Sequence, residues 1–139
     1  MTNANRESSD AQEGMLTSLT ALMSSEPDLD FAMLIGSRAS GMAHTGSDWD
    51  IALQWAQPVD WLSTLSRTES LRERISLALK VPNSEIDLID LRRANLAMRA
   101  SVAEEGIPLA GEDSVAWARF LRRTWRELED FYWDKKHAA

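Results

Sequence analysis

Two short pieces of this 139-residue sequence have the residue types and the spacing to do chemistry. The first is Gly36-Ser37-Arg38. The second is Asp48-Trp49-Asp50, separated from Ser37 by ten residues. Asp48 and Asp50 lie two apart where a strand is expected, so their carboxylates project from the same face. Two hard oxygen ligands side by side suit Mg²⁺, which takes one or two carboxylates, waters and substrate phosphate oxygens. Gly36 allows a ligand to approach the backbone closely. A short helix starting at Ser37 would turn its free N–H groups toward a phosphate. The Ser37 hydroxyl can donate to a phosphate oxygen, and Arg38 is a candidate phosphate clamp. Ser47, next to the first acid, completes the candidate nucleotide-binding set. Together these parts describe a site for a metal and a nucleoside triphosphate. Plainer roles are also open: Ser37 as a helix cap, Ser47 and Thr45 as turn formers, His44 as a loop residue without a zinc-spaced partner.

The elements that must position these residues follow from periodicity. Phe31 to Ile35 is a continuous apolar run and reads as a buried strand. Trp49 to Trp55 reads as a second strand, with Trp49 turned away from the acids into the core. Glu85 to Leu91 alternates and reads as a third, and Ile107 to Ala110 as an added edge strand. A helix is expected from Asp10 to about Ser24, after a polar, disordered stretch over residues 1–9. A second, opened by Pro58 and Asp60, should run to about Lys80, with Trp61, Leu65, Leu71, Ile75 and Leu79 as core candidates. Ala94 to Glu104 reads as a third helix, closed by Gly106. Residues 113–134 read as a C-terminal helix. The order of elements predicts an α+β fold, a three- to four-stranded mixed sheet packed with helices, as a single domain over residues 10–139.

Composition narrows the function. Fifteen Lys and Arg against 22 Asp and Glu leave a net charge of −7, a poor match to a protein that holds nucleic acid by its phosphates. With no cysteine, neither a disulfide framework nor a thiolate metal site is possible. No apolar run reaches the roughly 18 residues of a membrane span, and no signal peptide is apparent. The expected address is the cytoplasm.

The segment GSRASGMAHTGSDWDIAL resembles the signature of the DNA polymerase beta-like nucleotidyltransferase superfamily. With EIDLIDL, it is similar to that superfamily's minimal nucleotidyltransferase (MNT) branch. The resemblance covers roughly residues 15–110. It implies a third carboxylate on the next strand, for which Glu85, Asp87 and Asp90 are candidates. Asp87 stands where the family has its third acid, and Asp90 has the opposite strand parity. The family's scheme implies that Asp48, Asp50 and Asp87 are catalytic and hold two Mg²⁺ ions, with ATP as substrate. Many members are antitoxins whose partner is a HEPN-domain ribonuclease. The implied activity is transfer of AMP to a tyrosine hydroxyl of that toxin, which inactivates it. Neutralisation by binding alone, modification of a small molecule such as an aminoglycoside, and template-free addition to RNA ends are the competing readings.

The last helix carries two stripes. Trp117, Leu121, Trp125, Leu128 and Tyr132 form an apolar one, expected to pack on the sheet. Arg119, Arg122, Arg123 and Arg126 form a basic one, expected to face solvent. A docking face for a partner protein is the functional alternative.

Overall fold

A computed structural model describes residues 2–44, 46–56 and 60–138 of the chain. Its centre is a four-stranded mixed sheet: β1 (Leu29–Ile35), β2 (Trp49–Trp55), β3 (Ile86–Asp90) and β4 (Ile107–Ala110), in the order β3-β2-β1-β4. β1 runs antiparallel to both β2 and β4, and β2 runs parallel to β3. Among the described residues five α-helices complete the fold: α1 (Thr2–Ser24), α2 (Ser37–Ser40), α3 (Trp61–Leu79), α4 (Leu96–Glu105) and α5 (Val115–His137). This is the expected α+β architecture.

A parallel pair cannot be joined by a tight hairpin, so β2 and β3 need a long crossover, which α3 supplies. Asp60 caps α3, accepting from the Ser63 N–H at 3.0 Å and the Ser63 hydroxyl at 2.9 Å. Lys80 ends it in the left-handed conformation, just before Val81-Pro82. Pro58, the other expected opener, lies outside the described residues. Asn95 and Ser114 cap α4 and α5 in the same way as Asp60.

Strand alternation divides the core between the two faces of the sheet. Trp49, Ile51, Leu53 and Trp55 pack with Leu19 and Met23 of α1 and Leu71, Ile75 and Leu79 of α3. Phe31, Met33, Ile35 and Ala52 pack on the other face with Leu91, Val102 of α4 and Phe120 of α5. The Phe31 ring meets Trp117 edge-on at 4.9 Å and Phe120 at 5.3 Å.

Several expectations need correction. Residues 2–9, read as disordered, continue α1 up to Thr2. Glu85 falls in a short 3₁₀ turn and Leu91 lies beyond β3, so that strand is one residue shorter at each end. Trp61 and Leu65 are exposed, because only the second half of α3 lies over the sheet. The Trp61 ring instead lies 3.9 Å under the Arg93 guanidinium. In α5, Trp117 and Leu121 pack on the core, while Trp125 and Tyr132 are exposed. A helix of 23 residues outruns a four-stranded sheet. Its four arginines do face solvent.

Candidate active site

β1 ends at Ile35, which pairs directly with Asp50 of β2. The next residue, Gly36, has φ 75° and ψ −158°, a region open essentially to glycine alone. A Cβ built there would sit 2.3 Å from Oδ2 of Asp50. The glycine is therefore required twice, once by its backbone and once by the carboxylate lying against it. The chain then makes a single helical turn, α2, in which the N–H groups of Ala39 and Ser40 both donate to the Gly36 carbonyl, at 3.0 and 3.1 Å. Gly36, not Ser37, is the cap of this turn. The Ser37 hydroxyl makes no hydrogen bond within the chain among the described residues, which leaves it available to a ligand.

Arg38 holds the loop between the two motifs. Its Nε and Nη2 donate to the Ser47 carbonyl at 3.3 and 3.0 Å, and its Nη1 donates to Oε1 of Gln12 at 3.1 Å. Its guanidinium also lies 4.5 Å above the Trp49 ring. Within the chain, Arg38 fixes the residues on either side of Asp48, Ser47 by its carbonyl and Trp49 by its ring. Ser47 is buried, and its hydroxyl accepts from the His44 N–H at 2.8 Å. That bond closes a turn with the Ser47 N–H, which donates to the His44 carbonyl at 3.0 Å. Ser47 thus acts as a turn former, and Thr45 lies outside the described residues. Trp49 is fully buried, as its alternation requires.

Three carboxylates come together at the start of β2 and β3. Asp50 is the direct partner of Asp87 in the parallel register, so both point to the same face, and Asp48 precedes Asp50 by one full strand repeat. Asp48 and Asp87 are exposed and Asp50 is half-buried. Burial raises the Asp50 pKa above the ordinary aspartate value, with further increments from the charges of Asp87 and Asp48. Among the described residues no three acidic or histidine side chains close into a ready-made metal cage.

The other two candidate acids lie elsewhere. Glu85, in the 3₁₀ turn, lines a cavity with Arg38, Lys80 and Val81. Asp90 accepts from the Arg92 N–H at 3.0 Å and pairs with Arg93 at 4.0 Å, closing the turn after β3. Gln12 is the contributor that sequence reasoning missed. It reaches the loop from α1, 26 residues before Arg38, and also donates to the Arg38 carbonyl at 3.2 Å. No local spacing signals such a pairing.

Comparison with known proteins agrees with this geometry. The family described as polymerase beta, nucleotidyltransferase, matches residues 17–115. The protein adenylyltransferase MntA of Shewanella oneidensis is 36% identical over 85 residues, 61% of this chain and 56% of that protein. The match thus spans only about half the length of that relative. Among solved structures, a toxin–antitoxin complex with AMP-PNP superposes with a TM-score of 0.63 at 24% identity, covering 90% of this chain and 92% of the other. A complex of tri-AMPylated Shewanella oneidensis HEPN toxin with MNT antitoxin gives 0.57 at 21% identity, covering 91% and 90%. At these identities the likeness establishes the fold.

Proposed function

The chain belongs to the polymerase beta nucleotidyltransferase family, and from that premise we propose that it is an adenylyltransferase antitoxin. It transfers AMP from ATP to a tyrosine hydroxyl of a HEPN-domain ribonuclease and silences it. The observation that carries this reading is the convergence of Gly36, Asp50 and Asp87. The first two are in contact, the last two are paired in register, and Asp48 lies on the same face. The MntA relative carries the same activity in its name, and related complexes contain AMP-PNP or an AMPylated toxin.

The donor set fits Mg²⁺. All three side chains are hard oxygen ligands, and the half-buried Asp50 bears the repulsion of two neighbouring charges that a cation would relieve. Asp48, Asp50 and Asp87 would hold two ions, which when bound offset charge on the reacting phosphate and on the leaving group. The remaining steps belong to the chain itself. Gly36 and the free Ser37 hydroxyl bring the phosphates against the end of β1. Arg38 and Ser47 hold the loop that presents Asp48. Asp87 lies on the edge strand, and in this reading it takes the proton of the incoming hydroxyl. The acceptor oxygen then bonds to the α-phosphorus, the bond from that phosphorus to the bridging oxygen breaks, and pyrophosphate leaves. The expected setting is the cytoplasm, and no helix among the described residues is long and apolar enough to cross a membrane.

One observation favours a role for binding as well. Phe131, Tyr132 and Trp133 are exposed on the end of α5, an arrangement suited to gripping a partner. One experiment separates catalysis from covering. The partner toxin is co-expressed with wild-type protein or with Asp48→Ala/Asp50→Ala, and its intact mass is recorded. Adenylyl increments that appear only with wild type establish transfer. A stable, unmodified complex with both proteins would leave neutralisation by binding.

A further inference from the structure

A second cavity, of about 360 Å³, lies on the α5 side of the sheet, the face that also carries Asp50, but further along β2 at Gln54. It is lined by Asp30, Gln54, Arg92, Arg119, Phe120 and Arg123, among others. From its side chains and position we infer that it is an anion site for a small phosphate-bearing molecule, separate from the carboxylate cluster.

The floor of this cavity is preorganised. Arg92 donates through Nε and Nη2 to the Trp55 carbonyl, at 3.1 and 2.9 Å, and lies 3.6 Å from Asp30. The Gln54 amide donates to the same Asp30 carboxylate at 2.9 Å. Asp30 is thus occupied as an acceptor, and the Arg92 guanidinium has little freedom left to lose on binding. Arg119 and Arg123 stand one turn apart on α5, where like charges repel. Neither has a carboxylate within ion-pairing distance among the described residues. Three arginines therefore line one open cavity with a single, already engaged carboxylate. On a chain of net charge −7 this is a local concentration of the opposite sign. Planar guanidinium forks match phosphate oxygens in pairs.

The charge also limits the class of ligand. An extended polyanion would meet the acidic remainder of the surface, whereas a compact phosphate ligand meets only the cavity. The cavity is distinct from the acid site. Gln54 is four residues beyond Asp50 on β2, about 13 Å at strand spacing. The intervening Ala52 is fully buried in the core cluster that contains Leu91 and Phe120.

The inference does not rest on the proposed catalysis, and its test can be run without metal. Binding of inorganic phosphate, pyrophosphate and ADP would be measured by calorimetry in EDTA at low salt. The proteins are wild type, Asp48→Asn/Asp50→Asn and Arg119→Ala/Arg123→Ala, each shown to be folded by circular dichroism. The expected result is saturable binding to the first two, weakened at least tenfold in the arginine variant and by added salt. Equal affinity for phosphate and ADP would mean that the phosphate alone is recognised. Tighter binding of ADP would mean that the nucleoside is read as well. No saturable binding up to 10 mM (about −2.7 kcal/mol on the standard scale), or equal binding to the arginine variant, would overturn the inference. Binding strengthened by Asp48→Asn/Asp50→Asn and unchanged in the arginine variant would also overturn it, by locating the anion beside the acids, whose charge repels it.

Discussion

Replacing Gly36 with alanine should damage the site through a contact that can be measured from the structure. The new methyl carbon would sit 2.3 Å from Oδ2 of Asp50. Ordinary carbon–oxygen contact needs about 3.4 Å, so the carboxylate must retreat by about 1 Å. Displacement on that scale in a catalytic group lowers a rate by about 100-fold. The backbone adds a second cost, because φ 75° with ψ −158° strains a side-chain-bearing residue by about 1–3 kcal/mol. Gly41 separates the two effects. It has φ 80°, yet nothing lies within 4 Å of the position its Cβ would take. Gly41→Ala should therefore lose about 1–2 kcal/mol of stability from left-handed strain alone and transfer AMP at close to the wild-type rate. The assay is the initial rate of adenylyl incorporation into the partner, with thermal unfolding of each variant in parallel. A Gly36→Ala protein as active as wild type, or a Gly41→Ala protein just as impaired, would refute the reasoning.

Three further outcomes follow. Asp50→Asn should raise the melting temperature of metal-free protein at neutral pH. The folded state raises the Asp50 pKa, so it binds the proton more tightly than the unfolded chain, and ionisation weakens folding as pH rises through that range. The advantage of the variant should disappear below the unfolded aspartate pKa of about 3.9, as a melting series from pH 3.5 to 8 in EDTA would show. Asp87→Asn should abolish transfer, whereas Asp90→Asn should leave it within a few-fold of wild type and slightly lower stability, since Asp90 closes a turn. Equal loss in both would remove Asp87 from its proposed role. Arg38→Ala should lower kcat more than it raises KM for ATP, because the guanidinium holds the loop carrying Asp48. Arg38→Lys should rescue this poorly, since one ammonium cannot donate through a planar fork to Ser47 while lying flat on Trp49. A selective rise in KM for ATP would instead make Arg38 a direct phosphate ligand.

The sequence by itself determined the local elements and most of the candidate site. Strand alternation put Asp48 and Asp50 on one face and sent Trp49 to the core, because side chains alternate every residue whatever surrounds them. Asp60 marked a helix start through a bond that reaches only three residues. Other features depended on partners distant in the chain. The family resemblance pointed to Asp87, but only the parallel register of β2 and β3 set Asp87 beside Asp50. That Arg38 engages Ser47, Trp49 and Gln12 of α1 was set only by the packing of α1 against the loop. The helical stripes of α3 and α5 were equally apolar along their length, yet Trp61, Leu65, Trp125 and Tyr132 are exposed. Periodicity specifies which side of a helix is apolar. How far along the helix the sheet extends beneath that side is decided only when the elements pack.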